Sequence, residues 1–102
     1  MNMKSKQRNK AEARNCVSVA FVSEGWEDYC HWRNDDAEVF ATINVLIKEC
    51  LRTPFKGIGK PEPLKGDLSG FWSRRITREH RLVYFFEGGQ LTILQCRYHY
   101  DD

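Results

Sequence analysis

Glu62 lies in a restrictive local sequence, between Pro61 and Pro63 and close to Lys60 and Lys65. Proline fixes φ near −65° and restricts the residue before it to extended conformations, so the backbone around this carboxylate has little freedom. A rigid loop of this kind aims a side chain. A carboxylate that is held ionised beside cations can accept a proton, and it therefore suits a general base.

Arginine and histidine residues could supply the other parts of the same acid–base chemistry. Successive side chains of a strand point to opposite faces, so Arg81 lies on one face of its strand, while Gln95, Arg97 and His99 share one face of the next. If these faces coincide, Arg81 and His99 lie near one another, and Arg75 can join them from the preceding strand. The pattern predicts a carboxylate, an imidazole and several guanidinium groups on one concave surface.

The first half of the chain predicts one strand and two helices. Residues 17–22 would place apolar side chains on both faces of a strand, which predicts an interior strand. Ser23 is predicted to cap a first helix that ends near Arg33. Asp35 and Glu38 have the spacing of a capping box, and the apolar residues behind them recur at steps of three and four. This second helix must stop before Pro54.

The second half of the chain predicts a loop followed by three strands. Glycines and prolines between residues 54 and 63 indicate the loop, and strand-like runs follow at 71–76, 81–86 and 90–98. Glu87, Gly88 and Gly89 join the last two runs as a hairpin turn. The order predicts an α+β fold, with the helices on one face of a mainly antiparallel sheet and the other face open to a ligand.

Length and composition limit the chain to one small domain. A chain of 102 residues with 41% hydrophobic residues can bury a single core. No run of eighteen apolar residues and no signal-peptide segment is recognisable, so the expected compartment is the cytoplasm. Cys16, Cys30, Cys50 and Cys96 show no C-x-x-C pair, which favours buried thiols over disulfides or a metal site.

Positive charge is unevenly distributed along the chain. Residues 1–15 hold five basic residues and one acidic residue with almost nothing to bury, which predicts a basic, disordered extension before a domain at 16–102. Residues 52–81 hold eight basic residues against three acidic ones. A surface of this kind attracts a polyphosphate backbone, so nucleic acid is the expected partner. A solvated charged face is the alternative explanation.

Cleavage of RNA through attack by its own 2′-hydroxyl would use a carboxylate, an imidazole and a guanidinium group. The reaction needs a base for the hydroxyl proton, an acid for the leaving 5′-oxygen, and cations that offset charge on phosphorus in the transition state. Glu62 suits the base, His99 the acid and Arg81 the cation. The reaction requires no metal or other cofactor, and the three histidines do not have metal-ligand spacing. On pattern alone, ordinary surface charges explain these residues better than catalysis does, by about three to one.

Four segments resemble the Txe/YoeB family of bacterial toxins, within the larger RelE/ParE superfamily. They are SEGWEDYCHW (23–32), RTPFKGIGKPEPLKGDLSGFWSRRIT (52–77), EHRLVY (79–84) and CRYHY (96–100). The resemblance implies the RelE/YoeB-like fold of microbial ribonucleases. It also implies a ribosome-dependent mRNA interferase that cuts mRNA in the A site, and a YefM-type antitoxin as partner. Homodimers are frequent in that family.

The resemblance also assigns roles to individual residues. The glutamate of the KPEPLK loop is Glu62, which resembles the general base; Arg81 resembles the transition-state cation and His99 the general acid. Lys65, Arg75 and Tyr100 fall on positions that bind substrate or orient the site. The other cations that could contact RNA are Lys56, Lys60, Arg74, Arg78 and Arg97.

Two other functions remain open at this point. Relatives of the ParE type poison DNA gyrase without RNA chemistry, and a non-catalytic RNA-binding module could use the same basic face. An intact set of Glu62, Arg81 and His99 favours the nuclease. Asp101 and Asp102 extend beyond the family's terminal tyrosine, and they are expected to stabilise the protonated form of His99 and to weaken RNA binding slightly.

Overall fold

Two helices pack against a five-stranded mixed sheet, which confirms the α+β prediction. The structure, a computed structural model, describes residues 17–99, so the predicted extension at 1–15, Tyr100, Asp101 and Asp102 lie outside the described residues. The elements are β1 (Ser18–Phe21), α1 (Ser23–Asp35), α2 (Ala37–Arg52), β2 (Glu62–Pro63), a 3₁₀ turn (Gly66–Leu68), β3 (Trp72–Arg75), β4 (Arg81–Glu87) and β5 (Gln90–Gln95).

The sheet has the strand order β1-β5-β4-β3-β2. Strand β1 runs parallel to β5, with Ser18 opposite Gln90, and the other neighbours are antiparallel. The prediction that β1 is an interior strand is wrong. It forms one edge of the sheet, and Val17 and Val19 are exposed, so its two-sided apolar character does not reflect burial on both faces.

Helix α2 is amphipathic, as its periodicity predicts. Ile43, Leu46 and Cys50 are buried, and the helix ends at Arg52, ahead of the proline. The cap is one residue later than predicted: the Asp36 carboxylate, rather than Asp35, accepts hydrogen bonds from the backbone N–H groups of residues 38 and 39, at 3.1 Å each. This satisfies amide donors that the first helical turn leaves unpaired.

Helix α1 lies directly against β5. Val22 occupies its cap position and Ser23 is already helical, so the predicted cap at Ser23 is wrong, and the helix continues to Asp35. At Gly25 the two elements nearly touch, since a Cβ there would lie 2.6 Å from the carbonyl oxygen of Ile93. The absence of a side chain at this position permits that close approach.

Strand β5 ends earlier than the sequence predicts. The sequence predicts one strand over residues 90–98, but the ladder stops at Gln95 because α1 binds both backbone groups of Cys96. The Asp28 carboxylate accepts its N–H at 3.1 Å, and the Trp32 indole donates to its carbonyl at 2.8 Å. The chain then turns back toward β4, with Tyr98 at φ 62°. The predicted strand face of Gln95, Arg97 and His99 is therefore wrong.

The core lies between the helices and the sheet. It includes the side chains Trp32, Ile43, Leu46, Leu82, Tyr84, Leu91 and Ile93. Cys50 and Cys96 are buried free thiols and Cys30 is a partly buried one, as predicted for these three positions; Cys16 lies outside the described residues. Within residues 17–99, no helix is long and apolar enough to cross a membrane.

Candidate active site

Glu62 is positioned by strand pairing. The predicted loop contains the two-residue strand β2, in which Glu62 pairs with Ser73 and Pro63 pairs with Trp72 of β3. The backbone N–H of Leu64 extends this ladder by donating to the carbonyl of residue 71 at 2.9 Å. The carboxylate is thus carried on sheet backbone, which restricts it more firmly than the two prolines could alone.

Arg75 and Arg81 face each other across β3 and β4. They are direct partners in the ladder, and Ser73 shares their face two residues before Arg75. Directly opposed side chains have Cβ atoms about 4.5–5.5 Å apart, and like charges at that separation destabilise a sheet. An anion bound between the two guanidinium groups would relieve this repulsion. The pair therefore favours an anionic ligand, such as one that carries a phosphate.

The guanidinium of Arg81 is further oriented by the turn that precedes its strand. Its Nη1 donates to the carbonyls of Thr77 at 2.8 Å, Arg78 at 3.2 Å and His80 at 3.1 Å. A guanidinium has five N–H donors in a planar fork, so donors remain to be aimed at a ligand. These contacts hold the positive charge at one rim of the sheet.

His99 reaches this face by the turn after Cys96. The backbone N–H of Arg81 donates to the carbonyl of Tyr98 at 3.2 Å, which returns the chain to the start of β4. The Gln95 side-chain amide donates to the carbonyls of Arg97 and His99, at 3.1 and 3.2 Å. The predicted neighbours Arg81 and His99 therefore do lie together, although a turn brings them there and not strand alternation.

These residues line a cleft of about 500 Å³ on the sheet face away from the helices. Its walls are formed by Lys60, Pro61, Glu62, Ser73, Arg75, Arg81 and His99. Three permanent cations, one carboxylate and one imidazole give the cleft a net positive charge at neutral pH. The arrangement places an acceptor, a potential proton donor and charge-stabilising groups around a single space.

Arg74 does not join the cleft, which corrects its expected contact with substrate. It follows Ser73 and precedes Arg75, so it points to the helix-covered face, where its exposure is 0%. Its guanidinium donates to the hydroxyl of Tyr84 at 3.1 Å and to the carbonyls of Thr53, Lys56 and Ile58. Arg74 therefore holds the 53–58 loop from beneath.

Tyr84 completes the support of that loop. Burial raises the pKa of Tyr84 to about 12, so its hydroxyl stays protonated, and it donates to the carbonyl of Pro54 at 2.7 Å. The loop then enters β2 through Gly59 and Lys60, which both have positive φ, 82° and 51°. The backbone N–H of Arg75 donates to the carbonyl of Gly59 at 2.7 Å. The approach to Glu62 is thus fixed at several points.

Two further predicted site residues of the described chain, Lys65 and Arg97, do not line the cleft. Lys65 is exposed ahead of the 3₁₀ turn and does not line the cleft. The guanidinium carbon of Arg97 lies 6.0 Å from the ring centroid of Trp32 and 4.7 Å from that of Tyr98, an arrangement that favours packing. Ser73 was missed by sequence analysis, although the alternation that selects Arg75 also selects it.

No obvious metal centre accompanies these groups in the described part of the chain. Within residues 17–99, no group of three or more histidine, cysteine, aspartate or glutamate side chains is placed to hold a metal ion.

Comparison with known proteins explains why these motifs occur together. Residues 21–100 match the family model described as a YoeB-like toxin of bacterial type II toxin-antitoxin systems. The chain belongs to this family. The resemblance predicted from the four motifs is thereby confirmed. A YoeB toxin from Streptomyces coelicolor is 61% identical over 84 residues, which cover 82% of this chain and all of that protein. A YoeB toxin from Escherichia coli is 60% identical over the same shares.

Solved structures of YoeB proteins share the fold. A YoeB/ParE toxin from Agrobacterium tumefaciens has a TM-score of 0.79 and 50% identity, over 82% of this chain and all of the other. The YoeB of a heterotetrameric YoeB–YefM complex from Staphylococcus aureus has a TM-score of 0.77 and 41% identity, over 82% and 98% of the two chains. This chain is therefore a YoeB-type toxin of a type II toxin-antitoxin system.

Proposed function

We propose that this toxin is a ribosome-dependent endoribonuclease that cleaves mRNA in the ribosomal A site without a metal ion. The observation that carries the proposal is the cleft in which Glu62, Arg81 and His99 meet. Membership of a toxin family supports a role in growth control. The chemistry rests on the types of group in the cleft and on their placement.

The proposed reaction begins at the 2′-hydroxyl of the nucleotide before the cut. Glu62 takes the hydroxyl proton while the 2′-oxygen forms a bond to phosphorus. The bond from phosphorus to the 5′-oxygen breaks, and the imidazolium of His99 gives its proton to that oxygen. The products are a 2′,3′-cyclic phosphate and a 5′-hydroxyl, and general base and acid assistance contribute roughly 10² to 10⁴ each in rate.

The arginines stabilise the negative charge of the transition state. Negative charge builds on the non-bridging oxygens as phosphorus becomes five-coordinate, and Arg81 lies where its guanidinium is already oriented by three carbonyl acceptors. Arg75 and Lys60 add positive charge to the same cleft. A preorganised donor of this kind is worth about 3–4 kcal/mol of transition-state stabilisation. Lys65, Arg97 and Tyr100 are proposed to contact RNA around the cleft or to support such contacts.

Partners and location follow as parts of the same proposal. The Staphylococcus aureus relatives form a YoeB–YefM complex and a YoeB dimer, which supports a YefM-type antitoxin and a homodimer here. The ribosome and mRNA are the proposed targets, and the cytoplasm is the proposed location because translation occurs there.

Mapping of mRNA ends by primer extension in a purified translation system tests the proposal. Wild-type protein should produce cuts at A-site codons only when ribosomes are present, and Glu62→Gln and His99→Ala should each lower the cleavage rate by roughly 10² or more. Glu87→Gln is the matched control, because it removes an exposed carboxylate at the hairpin end of β4 and should cleave normally.

The alternatives give different outcomes in the same experiment. If the wild type makes no cuts but inhibits DNA supercoiling by gyrase, a ParE-like activity replaces the nuclease. If Glu62→Gln retains full activity, the basic face acts by binding RNA and the acid–base assignment is wrong.

A further inference from the structure

His80 lies outside the cleft lining but touches the segment that carries His99. Its Nδ1 accepts a hydrogen bond from the backbone N–H of Tyr98 at 2.8 Å. Its ring lies between Trp32 and Tyr98, with centroid distances of 4.7 and 5.5 Å. An Nδ1 that accepts a hydrogen bond carries no proton, so the neutral ring is the Nε2–H tautomer.

The backbone carbonyl of His80 is engaged on the side of the strand away from Tyr98. The carbonyl of His80 accepts hydrogen bonds from the N–H groups of Ile76 at 3.0 Å and Thr77 at 3.3 Å, and from the Arg81 guanidinium. The side chain of His80, and not its carbonyl, therefore supplies the acceptor for the Tyr98 N–H.

Tyr98 needs such support because its backbone is strained. It has φ 62°, a conformation that residues other than glycine adopt rarely and at a cost. His80 holds its N–H, and the N–H of Arg81 holds its carbonyl. Two consecutive residues thus fix the residue immediately before His99, and the direction in which the chain leaves Tyr98 decides where His99 enters the cleft.

We propose that His80 is a positioning residue for His99: its neutral imidazole fixes the left-handed turn at Tyr98 and thereby aims the proposed acid into the cleft. This inference rests on the proposed nuclease function. Protonation of His80 would place an N–H donor against the N–H of Tyr98 and break the contact. The turn is therefore expected to loosen in acid.

The surroundings of His80 keep it neutral near pH 7. Burial lowers the pKa of His80 below its ordinary value of 6.5. Among the charged groups that face it, the carboxylate of Glu79 favours protonation, and three cationic or ionisable groups oppose it, namely Arg97, His31 and His99. Because the pKa of His80 in the folded protein lies below its ordinary value, neutral His80 stabilises the folded state fully above pH 6.5. This stabilisation decreases as the pH falls through the folded pKa.

Two substitutions separate positioning from packing. His80→Phe keeps an aromatic ring between Trp32 and Tyr98 but removes the acceptor. His80→Asn offers a carbonyl oxygen close to the place of Nδ1 and does not titrate. The contact is solvent-accessible, so water can satisfy the Tyr98 N–H and both variants should fold, as a dispersed amide spectrum would verify. His31→Asn, which removes a neighbouring imidazole without touching Tyr98, is the control.

The experiment combines NMR of the full chain with the cleavage assay, between about pH 5 and pH 8. In the wild type, the Tyr98 amide should be protected from exchange at neutral pH, and protection should be lost in acid together with a shift of the His99 ring signals. His80→Phe should lack protection throughout and lose cleavage on the order of 10²-fold, as a displacement of about 1 Å would cause. His80→Asn should retain protection throughout and restore neutral cleavage.

Three results would overturn the inference. The first is a Tyr98 amide that is equally protected in His80→Phe and in wild type, and the second is cleavage by His80→Asn that is as poor as that of His80→Phe. The third is a His31→Asn control that loses Tyr98 protection to the same extent. The NMR measurement needs no RNA, so a wild type that fails to cleave would contradict the nuclease while the Tyr98 and His99 signals still decide the positioning role.

Discussion

Glu62 and His99 reach the same cleft on segments that the fold holds in different ways. The loop before Glu62 lies over buried Arg74 and Tyr84, whose side chains bind four of its carbonyls. The segment before His99 is anchored by α1 at Cys96, but beyond Cys96 it is held by half-buried or exposed contacts from Gln95, His80 and Arg81, none of which is fully buried. Contacts made by fully buried side chains open less easily than contacts made by side chains that water can reach. We therefore expect the proposed base to be rigidly placed and the proposed acid to be adjustable.

The largest expected effect on stability comes from replacing Arg74, the buried side chain that holds the 53–58 loop. Arg74→Met deletes the donors of four hydrogen bonds and leaves loop carbonyls unpaired above the core, and hydrogen bonds to a charged group are worth about 1.5–3 kcal/mol each. We expect a loss of about 3–5 kcal/mol in the free energy of unfolding, measured by urea denaturation.

Arg75→Met is the matched control for that measurement. It makes the same chemical change one residue later, on the exposed face, and should alter stability by less than about 0.5 kcal/mol. Equal losses in the two variants would show that Arg74 does not clamp the loop.

A smaller loss is expected where helix α1 binds the end of β5. Trp32→Phe removes the indole donor to the carbonyl of Cys96, a buried contact, and should cost about 1–3 kcal/mol. Amide exchange should accelerate at residues 96–98 and stay unchanged at 53–58. Trp26→Phe, on an exposed turn of the same helix, should change neither quantity. Faster exchange in both segments would mean that the two are not held independently.

The other contact to Cys96 predicts a dependence on pH. Burial raises the pKa of Asp28, against the lowering effect of the hydrogen bond from Cys96. A raised folded pKa means that the charged carboxylate costs stability at neutral pH and that this cost vanishes below the ordinary value of 3.8. Asp28→Asn, whose amide oxygen can still accept the bond, should therefore be more stable than wild type at pH 7, by less than the Trp32 effect. The two proteins should converge in acid; a variant that is less stable at pH 7 would contradict this.

The smallest expected effect on stability is at Gln95. Gln95→Ala removes two contacts to carbonyls near the surface and should cost below about 1 kcal/mol. Motion of the His99 backbone on the nanosecond timescale should nevertheless increase, as ¹⁵N relaxation would detect. Gln90→Ala, which removes a comparable contact at the start of β5, should leave His99 unchanged. If substitution of Gln95 leaves the ¹⁵N relaxation of His99 unchanged, the proposed acid is not adjustable in position.

Sequence patterns predicted the features that depend on local rules more readily than they predicted the segment before His99. The periodicity of α2 and the hairpin turn follow from local rules, and both occur, although the turn is Gly88–Gly89 and the predicted turn residue Glu87 belongs to β4. The burial of Arg74 was also within reach, because alternation places it opposite Arg75. The end of β5 could not be predicted from the sequence, since it depends on Asp28 and Trp32, which no local pattern connects to Cys96.

The site shows the same division between local and long-range information. Motif and alternation selected Glu62, Arg75 and Arg81, which pairing of neighbouring strands brings together. The support at His80 escaped notice because it depends on a left-handed turn at a tyrosine, where sequence preferences favour other conformations.

The parallel pairing of β1 with β5 has a consequence for how this protein folds. Ser18 and Gln90 lie near opposite ends of the described chain, so their ladder closes the longest loop in the sheet and costs the most chain entropy. Strands β3, β4 and β5 are joined by short connections and can assemble first, because closing a short loop costs less entropy than closing a long one. We therefore expect β1 to dock late in folding and to be the first strand released when the toxin is unfolded.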